Sequence, residues 1–134
     1  MTMADDARKL IERAVKARER AVAPFSHFAV GCVVLTVDGR EMSGCNIEVS
    51  SYGLTMCAER VAIFKAVSEG WLDIDTVVVV ADTQGVCYPC GACRQVIHDF
   101  APQARIICAN LRGDFEVFKT SDLLPHAFGS KNLT

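Results

Sequence analysis

Residues 5–22 place Leu10, Ile11, Ala14, Val15 and Ala17 at helical spacing among Arg, Lys and Glu, the pattern of an amphipathic surface helix. Asp5 or Asp6 suits its N-cap, and Pro24 stops it. The apolar, β-branched run 29–37, the turn pair Asp38-Gly39 and the return segment 40–45 predict a β-hairpin. Residues 46–55 have no clear period and are rich in Ser, Gly and Asn, so they are expected to form a loop. From 57 to 69 the positions Val61, Ala62, Phe64 and Val67 recur with a helical period, and Gly70 follows as the C′ residue. Residues 76–81 (TVVVVA) are apolar on both faces, which predicts a buried strand. A loop over 82–89, a helix over 90–100 ended by Pro102, a buried strand over 105–110, a strand over 115–120 and a helical turn from Ser121 complete the chain. This order of elements predicts an α/β layered domain with a mixed sheet and no internal repeat.

Composition narrows the class. The 134 residues, 51% of them hydrophobic and 22% charged, suffice for one core and one domain over 1–134. They exclude disordered and low-complexity readings. Fourteen basic against sixteen acidic residues give a formal charge of −2 with no basic run, unlike a protein that neutralises a string of phosphates. No nucleic-acid partner is therefore expected. The longest apolar stretches, 29–35 and 77–81, fall far short of the roughly 20 residues a membrane helix needs. Residues 1–13 carry two Asp and no apolar segment, so neither a signal peptide nor a membrane partner is expected, and the expected location is cytoplasmic.

Cysteine changes the picture further. Seven of them, Cys32, Cys45, Cys57, Cys87, Cys90, Cys93 and Cys108, would stay reduced in that compartment, which favours metal ligation or catalysis for the clustered ones. Cys57-Ala58-Glu59 opens one predicted helix and Pro89-Cys90-Gly91-Ala92-Cys93 opens another. Helix N-termini favour anions and so favour thiolates. If the two helices start at one edge of the sheet, Cys57, Cys90 and Cys93 supply three ligands. That leaves a fourth tetrahedral position open, as expected of catalytic zinc, where water is acidified toward neutrality. Glu59, two residues past a ligand, would be the general acid and base. A second reading stays open at this point: Cys87-x-x-Cys90 is also a CxxC, and four thiolates would close a structural site. Cys32, Cys45 and Cys108 fall in predicted strands and read as small buried residues. His27, His98 and His126 lack ligand spacing.

Five ordered blocks then carry a resemblance. They are Pro24-Phe25-Ser26-His27-Phe28-Ala29-Val30-Gly31, Gly44-Cys45-Asn46-Ile47-Glu48, Ser51-Tyr52-Gly53-Leu54-Thr55-Met56-Cys57-Ala58-Glu59-Arg60, Pro89-Cys90-Gly91-Ala92-Cys93-Arg94-Gln95 and Leu123-Leu124-Pro125-His126-Ala127-Phe128. Together they resemble the small homotetrameric cytidine deaminases of the three-cysteine type. The resemblance implies a three-layer α/β/α fold with a mixed five-stranded sheet and one Zn²⁺ per subunit on Cys57, Cys90 and Cys93. It implies Glu59 as proton shuttle and a nucleoside substrate, cytidine or 2′-deoxycytidine, converted to the uracil nucleoside and ammonia.

It further implies that Asn46 and Glu48 hold the ribose hydroxyls, that Phe25 packs against the pyrimidine, and that the Ala58 backbone contacts the base. Arg60 would donate hydrogen bonds to the cysteine sulfurs and offset the negative charge of three thiolates. Phe128 would close the active site of a neighbouring subunit in a homotetramer. The chain departs from the family pattern at Val49 and Tyr88, near which the base is expected to sit, and carries in Cys87 an extra thiol without a family counterpart. Rival functions are deamination of a modified or antibiotic cytosine nucleoside, as in blasticidin S deaminase, and a zinc-stabilised protein without catalysis.

Overall fold

A computed structural model of the chain describes residues 3–134. Helix α1 (Met3–Arg18) starts earlier than the Asp5 cap suggests, with Asp5 and Asp6 in its first turn and Lys16 and Arg18 in its last, charges that complement the helix dipole. It also stops four residues short of Val22. The backbone tightens there, with Glu19, Arg20 and Ala21 N–H donating to the carbonyls of Lys16, Ala17 and Arg18, and Val22 pairs with Ile47 instead.

The hairpin is β1 (Val30–Thr36) and β2 (Glu41–Cys45), with Gly39 in the left-handed region at φ 90°, which the Asp-Gly turn requires. Helix α2 (Ala58–Ser68), strand β3 (Ile74–Ala81), helix α3 (Gly91–Phe100), strands β4 (Arg105–Asn110) and β5 (Phe115–Lys119) and the short helix α4 (Thr120–Leu123) follow. The five strands lie in the order β2-β1-β3-β4-β5. The β3–β4 pairing is parallel and the others are antiparallel.

Alternation along the central strands sorts the core into two layers. Val33, Val78, Val80, Ile107 and Ala109 face α1 through Ala7, Leu10 and Ala14. Cys32, Val34, Val77, Val79, Ile106 and Cys108 face α2 and α3 through Ala62, Ile63, Ala66 and Ile97. The result is a three-layer α/β/α arrangement around a mixed five-stranded sheet. Two glycines set how closely the layers approach. A Cβ on Gly31 would lie 2.0 Å from the Ala14 carbonyl oxygen of α1, and one on Gly44 would lie 2.5 Å from that of Ala58 and 2.6 Å from Ala62 N of α2. The first turn of α2 therefore rests directly on the backbone of β2.

Residues 46–55 are more ordered than a loop without a period suggests. Ile47 exchanges backbone hydrogen bonds with Met56 at 2.9 and 3.0 Å, while Asn46 O and Glu48 N bond to Val22. A single 3₁₀ turn, Tyr52–Leu54, rounds the corner. The bridges hold only one residue on each side, too short for a hydrophobic alternation to announce them.

Candidate active site

Both chemistry-bearing helices begin on a cysteine. Cys57 and Cys90 are the N-caps of α2 and α3, each in extended backbone and neither making a side-chain capping bond. Their sulfurs therefore stay available for another partner. Cys93 is the third residue of α3 and is buried. Because α2 and α3 lie on one face of the sheet, their N-termini converge. The Sγ atoms of Cys57, Cys90 and Cys93 all lie within 4.8 Å of one another, and Cys57 and Cys90 are 3.8 Å apart.

The donor set fits a tetrahedral thiophilic ion with one position left over. Cys87 lies outside the three-thiol group, which weighs against the closed four-cysteine site. The surroundings favour thiolate: Cys93 donates to Cys57 and the Arg60 guanidinium lies 3.3 Å from its sulfur, holding Cys57 down at about 5. The same shared proton holds the Cys93 thiol up. Arg60 Nε is buried and without a hydrogen-bond partner.

Glu59, second residue of α2, is 4% exposed. Burial pushes its carboxyl up to about 7, with the charge on Cys57 adding to the effect and its own backbone N–H opposing it. A carboxyl with that value can both take and give a proton near neutrality. It opens into a cavity of about 260 Å³ lined by Ser26, Phe28, Asn46, Glu48, Cys57, Ala58, Glu59 and Cys87, among others. The size suits a small molecule.

At the other end of the cavity the polar groups are held by the backbone around them. Asn46 is buried, its Nδ2 donating to Phe28 O at 2.7 Å and its Oδ1 accepting from Val30 N at 2.8 Å. Glu48 accepts from the backbone N–H of Phe25 and Ser26 at 3.0 and 3.1 Å and from the Ser26 hydroxyl. Those bonds, the hydroxyl first, lower its pKa. Each side chain keeps capacity to spare, one amide hydrogen on Asn46 and further lone pairs on Glu48. Ala58 is the first residue of α2, where a helix leaves its backbone N–H unpaired.

Phe25 lies in an adjoining hollow of about 360 Å³ with Ser26, Glu48, Tyr52 and Thr55, edge to face with Tyr52 at 5.6 Å. Phe28, not Phe25, lines the inner cavity. Phe128 is 58% exposed on a C-terminal segment tied to α3 by Gln95 Nε2, which donates to Phe128 O at 2.8 Å. It is not among the residues lining the cavity of its own chain. Ser26, Phe28, Thr55 and Cys87 enter the lining without having been singled out as substrate contacts. The only signal for Ser26 and Phe28 is their place in the block that begins at Pro24.

Three thiols at two helix starts, an open fourth position and a buried carboxyl beside it define a hydrolytic metal site of the zinc deaminase kind. The family pattern described as "Cytidine and deoxycytidylate deaminase zinc-binding region" matches residues 4–109, and the chain belongs to that family. It is 47% identical over 129 residues to a cytidine deaminase of Halalkalibacterium halodurans, covering 96% of this chain and 98% of the relative. Over 130 residues it is 48% identical to one of Sporosarcina psychrophila, covering 96% of each. The crystal structure of cytidine deaminase from Burkholderia pseudomallei superposes with a TM-score of 0.89 at 44% identity, covering 96% of this chain and all of that one.

Proposed function

We propose that this chain hydrolyses cytidine and 2′-deoxycytidine to uridine and 2′-deoxyuridine with release of ammonia, in pyrimidine salvage. The observation that carries the reading is one small cavity lined both by two of the three clustered thiols with a buried carboxyl, Cys57, Cys90 and Glu59, and by a backbone-anchored amide and carboxylate, Asn46 and Glu48. One zinc ion on Cys57, Cys90 and Cys93 would supply the Lewis acidity that makes water a nucleophile at neutral pH.

The protein's own groups do the rest. Glu59 takes one proton from the attacking water and passes it to ring N3, then takes the second from the newly formed C4 hydroxyl and delivers it to the departing amino group, which leaves as ammonia. The Ala58 N–H orients the base. Asn46 and Glu48 bind the ribose hydroxyls: a carboxylate accepts from a vicinal diol, and the spare amide hydrogen donates to it. Phe25, in the hollow that shares Ser26, Glu48 and Thr55 with the inner cavity, packs against the pyrimidine from the outer side. Arg60 disperses the negative charge of three thiolates through its bond to the Cys57 sulfur.

The site is completed in a homotetramer. The exposed Phe128 and the exposed Phe25 and Tyr52 at the cavity's outer hollow support that reading, with Phe128 covering the cavity of a neighbouring subunit. Seven unpaired cysteines suit a reducing cytoplasm. No helix among the described residues is long and apolar enough to cross a membrane.

The test is the fall in cytidine absorbance together with zinc per chain. Wild type turns over cytidine and 2′-deoxycytidine with one zinc per chain. Glu59→Gln keeps the zinc and loses roughly a hundredfold to ten-thousandfold in kcat, the usual contribution of a general acid and base. Bound zinc without turnover of either nucleoside in wild type overturns the assignment.

A further inference from the structure

The thiols that line the cavity have assigned tasks, with one exception. Cys57, Cys90 and Cys93 form the metal group and Glu59 handles protons. Cys87 lines the same cavity yet belongs to neither. It is 9% exposed, and its backbone N–H donates to Ala109 O in β4 at 3.1 Å, so it is fastened to the sheet. Behind it lies the close-packed layer that contains Cys108, Ile106 and Ile97. The thiol stays protonated at neutral pH, its pKa pushed up to about 11 by burial and by the charge of Glu59. Cys87 is thus a short, neutral, immobile piece of wall.

We propose that the side chain at position 87 sets the largest substituent the pyrimidine can carry at C5. This rests on the deaminase reading above. The reacting carbon of the ring has two ring neighbours, N3 and C5. Glu59 serves N3, so the C5 side turns to the uncharged part of the wall, where a fixed side chain gauges size. Packed interiors do not yield to extra methylenes, and a larger residue at 87 therefore extends into the cavity, not into the core. Val49, another departure from the family pattern, is not among the residues lining the cavity. Its backbone N–H is bonded to Thr55 Oγ1 at 3.1 Å. Tyr88 does line the cavity, but it is half exposed and packs outward on Phe118 with ring centroids 5.9 Å apart.

The experiment measures kcat/KM of zinc-loaded wild type, Cys87→Ala, Cys87→Ser, Cys87→Val and Cys87→Leu on cytidine, 5-methylcytidine and N4-methylcytidine, with zinc per chain and Tm as checks on folding. The ratio of 5-methylcytidine to cytidine falls at least about tenfold from Ala to Leu, the discrimination one or two methylenes provide in a pocket. The near-isosteric Ser variant keeps the wild-type ratio. If Leu fails to fold, the series Ala, wild type, Val carries the same trend. A flat 5-methyl ratio across folded, zinc-loaded, active variants overturns the gauge and leaves the deaminase reading standing. So does a ratio that moves for N4-methylcytidine instead, since the wall would then face the leaving amine. Absence of cytidine turnover in wild type overturns the deaminase reading, and the gauge falls with it.

Discussion

The starts of α2 and α3 are two versions of one local design put to different uses. Each helix opens on a cysteine N-cap in extended backbone, and each carries an arginine soon after, Arg60 three residues past Cys57 and Arg94 four past Cys90. Arg60 reaches the Cys57 sulfur at 3.3 Å. Arg94 turns away and clasps backbone, its Nε donating to Pro89 O and a terminal nitrogen to Leu123 O, both at 2.9 Å. The first arginine adjusts charge at the site. The second fastens the approach to α3 onto the end of α4, so that Cys90 and Cys93 are presented in one fixed pose. Similar sequence around similar caps therefore does not imply similar work; the acceptor each guanidinium finds decides it.

Breaking the two arginines separately sharpens that contrast. Removing the clasp with Arg94→Ala gives the larger effect, because it strands two half-buried carbonyls. Charge-assisted bonds of this kind contribute about 1.5–3 kcal/mol each, and partial exposure discounts the sum to about 2–4 kcal/mol of folding stability. Denaturant unfolding reads it, and the folded variant still binds one zinc per chain. Arg60→Gln acts on chemistry instead. It weakens zinc affinity or turnover by roughly 10–100-fold, the usual cost of removing a partner of a metal ligand, with little change in the unfolding midpoint of the zinc-loaded protein. Competition with a chelator and steady-state kinetics separate the two outcomes. Equal loss of stability in both variants would sink the contrast.

The smallest effect lies at the other end of the cavity. Glu48 is depressed below the ordinary carboxylate value of 4.5 by the Ser26 hydroxyl and the backbone N–H groups of Ser26 and Phe25. The depressed value means that its stabilisation is fully present above pH 4.5 and is lost as pH falls through the lower folded value. Glu48→Gln therefore flattens the acid side of the Tm against pH curve, and a variant curve parallel to wild type in that window would remove Glu48 from the account. At neutral pH the same variant raises KM for cytidine more than it lowers kcat, because the contact it removes is with ribose and not with the reacting carbon.

Long, strongly patterned elements were legible in the chain. The run from Thr76 to Ala81, the strand at Arg105–Asn110 and the Asp38-Gly39 turn all lie where spacing and turn chemistry put them. The metal triad was legible for a local reason: cysteines at two helix starts have one obvious way to converge once both helices share a face. Three features were not. The end of α1 depends on Val22 finding Ile47, a long-range pairing with no periodic trace. The anchoring of Asn46 and Glu48 runs through backbone groups of 25–30, which no side-chain pattern records. Cys87 in the cavity wall follows from where the 82–89 segment meets β4, and its sequence context reads equally as a fourth ligand.

The sequence separation of 33 between Cys57 and Cys90 sets an order of assembly. Cys90 and Cys93 are neighbours along the chain and can meet an ion before any sheet exists. Cys57 joins them only after α2 has settled on β2 and α3 has crossed between the parallel strands β3 and β4, pairings that must overcome loop-closure entropy and so form slowly. During synthesis the chain thus passes through a stage in which a dithiol is exposed and incomplete. Stray soft metals and oxidants have their opportunity in that interval, which closes when Cys57 is brought against Cys90 and Cys93.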